Sequence, residues 1–237
     1  MSSIFQRGLS WHSYLNLERD FIDVTRYVAL DKNHGGVWSD KIAQLLLLTG
    51  STVDSVFNEM RMSSFLEEFK PVIDLRQKSE PNIRDYREVY DPIYQLSNVE
   101  LRARYGLAEY GIISPFQPFA LDKSPEWWNA YNDVKHGFFQ NMIKGTLDNL
   151  IHALGALFTL NVLHKDSQQY LATTGVIRVG YPDRNMSLLS TGSDIWSFLK
   201  GSFVPPWGGT TLEAWATSEV FFYVLGSRPK PQLRSDQ

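Results

Sequence analysis

Asn132, Lys135 and His136 are the residues of this chain whose types and spacing best suit chemistry. On a helix, residues four apart lie about 40° apart around the axis, so Asn132 and His136 share a face and Lys135 borders it. An imidazole moves a proton near neutral pH, an amide orients a phosphate or the imidazole, and an ammonium offsets developing negative charge. The trio therefore suits metal-free cleavage of a phosphodiester. A 2′-hydroxyl would attack, His136 would act as base or acid, and Lys135 would face the charge on the phosphate. A structural reading competes, in which His136 is partly buried and bonded to Asn132 or to a carbonyl across a helix pair.

The elements that must hold this trio are legible around it. Ser124-Pro125-Glu126 offers an N-cap, a proline at the first helical position and an acid in the first turn, which predicts a helix to about Ile143. After Gly145, Leu147 to Leu163 is so apolar that it predicts a buried helix, placing the trio at the edge of a core. Upstream, Leu17, Phe21, Val24 and Val28 predict an amphipathic helix over Tyr14 to Leu30. Ser39 caps a second helix to about Thr49, and a third starts at Ser51 or Thr52 with Val53, Val56, Phe57 and Met60. Ser64 and Glu67 have the spacing of a capping box, so a break falls near Met62. Residues 76–98 read as partly helical and mostly surface, and 106–123 as a structured loop with a short strand. Beyond His164, Tyr170 to Tyr181 and Val220 to Leu225 are β-prone, separated by the turn-rich Pro205 to Gly209.

Other chemistries fare less well. Glu18, Asp23 and Asp54 with His136 would make a metal site in a bundle core, but no Glu-x-x-His, His-x-x-x-His or His-Glu-x-x-His occurs. Asp54 reads more simply as the first-turn acid of its helix, so no metal and no cofactor are expected. The candidate binding residues are Arg102, Arg104, Trp128 and Tyr131. Trp127-Trp128 would stack on bases or anchor the core, and the Arg102/Arg104 pair would meet phosphate or form a solvated face. Neither glycine pair, Gly35-Gly36 or Gly208-Gly209, matches a P-loop or dinucleotide fingerprint, and the serine-hydrolase elbow is absent.

Composition narrows the class. With 43% hydrophobic and 14% aromatic residues over 237 positions, the chain has the material for a folded core. A net charge of −3 gives no global pull toward nucleic acid, so any phosphate-binding surface is a local patch. Zero cysteines exclude disulfides, thiolate metal sites and cysteine nucleophiles. No stretch has the length and apolarity of a membrane span and Met1 to Trp11 lacks a signal pattern, so a cytoplasmic protein without membrane contact is expected.

The segment Tyr131-Asn132-Asp133-Val134-Lys135-His136, followed by the Leu147-to-Leu163 helix, resembles the HEPN superfamily of helical domains. The resemblance implies a four- or five-helix bundle that dimerises. Many such domains are metal-independent ribonucleases of toxin–antitoxin, CRISPR and anti-phage systems. Their motif is an arginine, a polar residue, three variable residues and a histidine, and two copies meet across the dimer to form one site. His136 matches the histidine and Asn132 the polar position; Tyr131 stands where the arginine would be, and Lys135 is the nearest cation.

The resulting expectation is a mainly α protein. Residues 1–164 form a HEPN-like antiparallel helical bundle, 165–226 a small irregular or β-containing appendage, and 227–237 a disordered tail. Two functional classes follow. One is a homodimeric RNA-acting effector of prokaryotic defence with His136, Asn132 and Lys135 as its catalytic residues and a regulatory protein as a candidate partner. The other is a non-catalytic dimeric binding or scaffold subunit that keeps a degenerate motif.

Overall fold

The computed structural model describes residues 8–63, 66, 69–103, 111–164, 167, 170–171, 174–180, 213–217 and 221–225. Among the described residues the chain is mainly α, with seven α-helices and one five-stranded antiparallel sheet.

Helix α1 (Leu9–Thr25) buries Leu17, Phe21 and Val24, as their spacing predicts, and adds Tyr14 and Trp11 in the two turns before them. It ends five residues before the predicted Leu30, because the amides of Tyr27 and Val28 both turn back to the Val24 carbonyl. Helix α2 (Asp40–Arg61) starts as predicted, with Ser39 Oγ accepting from the Ile42 amide at 3.2 Å. It then corrects the predicted break at Thr49 to Thr52. The hydroxyls of Thr52 and Ser55 donate back to the carbonyls of Leu48 and Ser51, at 2.8 and 3.0 Å, as interior residues rather than caps. Asp54 is therefore a mid-helix residue, not a first-turn acid.

The helix does stop beside Met62, while the Ser64 and Glu67 capping spacing lies outside the described residues. Its last carbonyls are satisfied from α3 (Lys70–Gln77), whose Arg76 guanidinium donates to the carbonyls of Arg61 and, at 2.8 Å, Ser63. Helix α4 (Ile83–Tyr94) opens with a capping box between Asn82 and Asp85. It is less superficial than its polar sequence suggests. Tyr86 and Tyr90, one turn apart, stack on Phe57 of α2 with ring centroids 4.6 and 5.7 Å away.

Short strands β1 (Leu101–Ala103) and β2 (Ile112–Ile113) follow, then α5 (Glu126–His136), α6 (Phe138–Asn141) and α7 (Leu147–Leu163). The α5 helix stops seven residues short of the predicted Ile143, where Gly137 adopts φ −158° and ψ 68° and breaks the ladder. Helix α7 is buried from Leu150 through Leu163 apart from His152, which fits its all-round apolarity. Each such fully buried large side chain contributes about 1.5–3 kcal/mol. Its internal polar residues are satisfied within the helix, with Thr159 Oγ1 donating to Gly155 O at 2.8 Å and Asn161 Nδ2 to Leu157 O at 2.9 Å. Its free N-terminal amides are met by the loop before α2: Leu147 N donates to Val37 O at 2.8 Å and Asp148 N to Gly35 O at 2.9 Å.

Strands β3 (Ile177–Gly180) and β5 (Phe221–Leu225) fall in the two predicted β-prone segments, and β4 (Glu213–Thr217) is an addition. The sheet order is β2-β1-β5-β4-β3, so β5 pairs with β1, Arg102 facing Phe222 in the register. Pro205 to Gly209 and residues 227–237 lie outside the described residues. Among the described residues no helix is long and apolar enough to cross a membrane.

Candidate functional site

Helix α5 owes its position to its apolar face. Trp127, Trp128, Ala130, Tyr131 and Val134 recur at three- and four-residue steps, and all are buried. Trp127 also donates from Nε1 to the Pro115 carbonyl at 2.8 Å and meets Phe116 edge-on, with centroids 6.0 Å apart. Trp128 is 6% exposed and packs against Trp127 and Tyr131, at 5.6 and 5.3 Å. Both indoles are core anchors, and Trp128 presents no face for a base. Tyr131, 2% exposed, lies on Gly50 of α2 and likewise serves packing.

The opposite side of the helix carries the polar trio to solvent. His136 and Lys135 are exposed and Asn132 is half-buried, which removes the reading of His136 as a buried structural histidine. Among the described residues no hydrogen bond joins Asn132 to His136, and neither ring nitrogen of His136 is engaged. Lys135 and His136 also sit in the last turn of α5, where cations complement the negative helix end.

Lys135 is not loose. Its Nζ lies 5.3 Å from the centroid of the Tyr131 ring, a cation–π contact of about 0.5–1 kcal/mol at an exposed position. Its charge is also felt by Asp54 on α2. Burial pushes the Asp54 carboxyl above its ordinary value of 3.8, while Lys135, the Tyr86 hydroxyl and Arg61 pull it back. Tyr86 is itself pushed up, first by burial and then by the charge of Asp54. Its hydroxyl is buried without a partner in hydrogen-bond geometry among the described residues.

The chain leaving α5 is stapled to it by Asp133. Its carbonyl accepts from Gly137 N at 3.1 Å and from Asn141 Nδ2 at 2.8 Å, and its carboxylate holds Lys144 at 2.8 Å. This staple fixes a surface that ends in two exposed apolar side chains, Phe139 at 88% and Ile143 at 57%.

No protein-family model, curated protein or solved structure matches the chain. The site's chemistry therefore rests on its own geometry.

The structure brings Asn132, Lys135, His136 and Tyr131 together on the last turns of α5. It sets Arg102 apart on β1, and Arg104 lies outside the described residues. Glu18 is buried beside the Tyr14 hydroxyl, which donates to it at 2.7 Å, and Asp23 pairs with Arg26 on the surface. Among the described residues no three His, Asp or Glu side chains converge in a way that could hold a metal ion. Sequence reasoning missed the close approach of Gly50 to Tyr131 and the ion pair of Lys144 with Asp133.

Proposed function

We propose that this chain is a HEPN-like, RNA-acting protein whose working surface is the exposed last turn of α5. The observation that carries this reading is an exposed His136 with unengaged ring nitrogens, flanked by an exposed Lys135 and a half-buried Asn132. In this reading His136 moves protons, Asn132 orients the phosphate and Lys135 offsets its charge.

Cleavage by this surface requires two proton-transfer groups. One imidazole takes the proton of the 2′-hydroxyl as its oxygen attacks phosphorus. A second, protonated imidazole gives a proton to the 5′-oxygen as the P–O5′ bond breaks, leaving a 2′,3′-cyclic phosphate and a 5′-hydroxyl. His136 of a second copy supplies the other imidazole, so the reading includes a homodimer. The exposed Phe139 and Ile143 beside the site support it, since a single chain leaves them in water. The net charge of −3 implies weak affinity for long RNA unless a regulatory partner adds positive charge.

The test is incubation of wild type and His136→Ala with mixed RNA in chelator, with folding of the variant checked by circular dichroism. Cleavage by wild type alone, with cyclic phosphate ends, is expected. Cleavage by both proteins, or by neither, removes the catalytic assignment. A non-catalytic dimeric scaffold is the second reading, favoured by Tyr131, which fills the motif's cation position with a packing residue.

A further inference from the structure

We propose that Tyr170 is an acceptor site for covalent modification, in which His12 takes the phenol proton as Tyr170 Oη attacks a tetrahedral phosphoryl or sulfonyl centre. The pair joins α1 to the segment after α7 and is independent of the RNA reading of α5.

The two residues are 158 positions apart in the chain, and the Tyr170 hydroxyl meets His12 Nε2 at 2.8 Å. Both sides of this contact are fixed. His12 lies one turn beyond Gly8, whose carbonyl accepts from the His12 amide at 2.9 Å. Gly8 is buried, and a Cβ on it would stand 2.9 Å from Cε2 and Cζ of the Tyr170 ring. The missing side chain leaves room for the ring, and the carbon that carries the hydroxyl is seated there. The imidazole meets the ring edge-on, with centroids 5.5 Å apart and planes at 61°. Behind the ring, the Tyr170 carbonyl accepts from the amide and the hydroxyl of Thr174 at 3.0 and 2.9 Å. Leu171, next in the chain, is fully buried. The phenol and the imidazole are thus held in register before any reagent arrives.

A phenol is a poor nucleophile until its proton leaves, and an imidazole is the side chain suited to take that proton near neutral pH. Nδ1 of His12 meets no partner among the described residues, so it turns its hydrogen to water and leaves the Nε2 lone pair to the phenol. His12 is exposed, which opens the pair to a reagent from solvent. The reagent is a phosphoryl or sulfonyl donor with a good leaving group. As the bond from Oη to phosphorus or sulfur forms, the proton passes to Nε2 and the leaving group departs with its bonding electron pair. The product oxygen has no hydrogen left to donate. Modification therefore also removes the hydrogen bond that ties the segment after α7 to α1.

The test treats the whole chain at neutral pH with an arylsulfonyl fluoride, whose sulfur is the tetrahedral centre and whose fluoride leaves. Peptide mass spectrometry reads the labelling rate at each tyrosine. Tyr27, 89% exposed, is the internal reference. Tyr170 is expected to label about tenfold faster than Tyr27 although it is the more buried of the two, a modest share of the roughly 10²–10⁴-fold that a placed base provides. In His12→Gln, whose amide accepts a hydrogen bond but does not keep a proton, the rate at Tyr170 falls to that of Tyr27 or below while Tyr27 is unchanged. Equal or slower labelling of Tyr170 in the wild type overturns the proposal, as does a fast rate that survives in folded His12→Gln. If His12→Gln does not fold, the wild-type ratio decides alone.

Discussion

Gly50 and Tyr131 meet backbone to ring: a Cβ built on Gly50 would lie 2.4 Å from both Cγ and Cδ2 of the tyrosine. Glycine inside a helix costs about 1 kcal/mol relative to alanine, so this residue is there for the approach and not for the helix. Overpacking a closed contact costs about 1–3 kcal/mol. Gly50→Ala is therefore expected to lower stability by up to about 2 kcal/mol despite its better propensity. Urea unfolding reads the difference, and a variant more stable than wild type would show that the ring moves aside freely.

The raised Asp54 carboxyl has a signed consequence for stability. The folded state holds this proton more tightly than the unfolded chain, so the favourable contribution is complete below the ordinary value of 3.8. It is lost as pH rises through the higher folded value. Stability of wild type minus that of Asp54→Asn should therefore fall across that window, with depressed carboxyls such as Asp85 cancelling in the difference. A difference that rises with pH would contradict burial as the dominant influence on Asp54.

His136 is exposed and forms no hydrogen bond among the described residues. His136→Ala should thus change the unfolding free energy by no more than about 0.5 kcal/mol. Loss of several times that amount, read by thermal or denaturant unfolding, would mean that the imidazole is a packing element and not a working group.

Phe139 and Ile143 lie at 88% and 57% exposure on the surface that Asp133 staples beside the site. If a second copy covers them, Phe139→Asp with Ile143→Asp converts a dimer to a monomer in sedimentation velocity. A wild-type protein that sediments as a monomer at high concentration would remove the composite site.

Much of the helical frame was legible because its signals are local. Ser39 caps α2, the Leu17-to-Val24 spacing builds α1, and the apolar Leu147-to-Leu163 run is α7. What was not legible depended on tertiary contacts. Gly50 and the hydroxyls around it look like a boundary, whereas the hydroxyls of Thr52 and Ser55 bond back into the helix and Tyr131 packs on the glycine. The polar sequence of α4 hid the burial of Tyr86 and Tyr90, since Phe57, their stacking partner, is remote along the chain. Ser124-Pro125-Glu126 marked the start of α5 to within a residue, although Pro125 and not Ser124 occupies the cap. At the site, the shared face of Asn132 and His136 followed from spacing alone. The packing of Tyr131 did not, because its partner Gly50 lies on another helix.

The pairing of β5 with β1 gives the sheet a timetable. Strand β1 is made well before β5, with β2 able to cover one of its edges almost at once. Its other edge waits for Phe221 and Phe222, which arrive only after α5, α6 and α7 have been made. During that interval a row of unpaired backbone donors and acceptors stands open beside the helices, the kind of edge that recruits foreign strands. Chains that stall or are cut before β5 should be the aggregating species in the cell, while their helices are already in place.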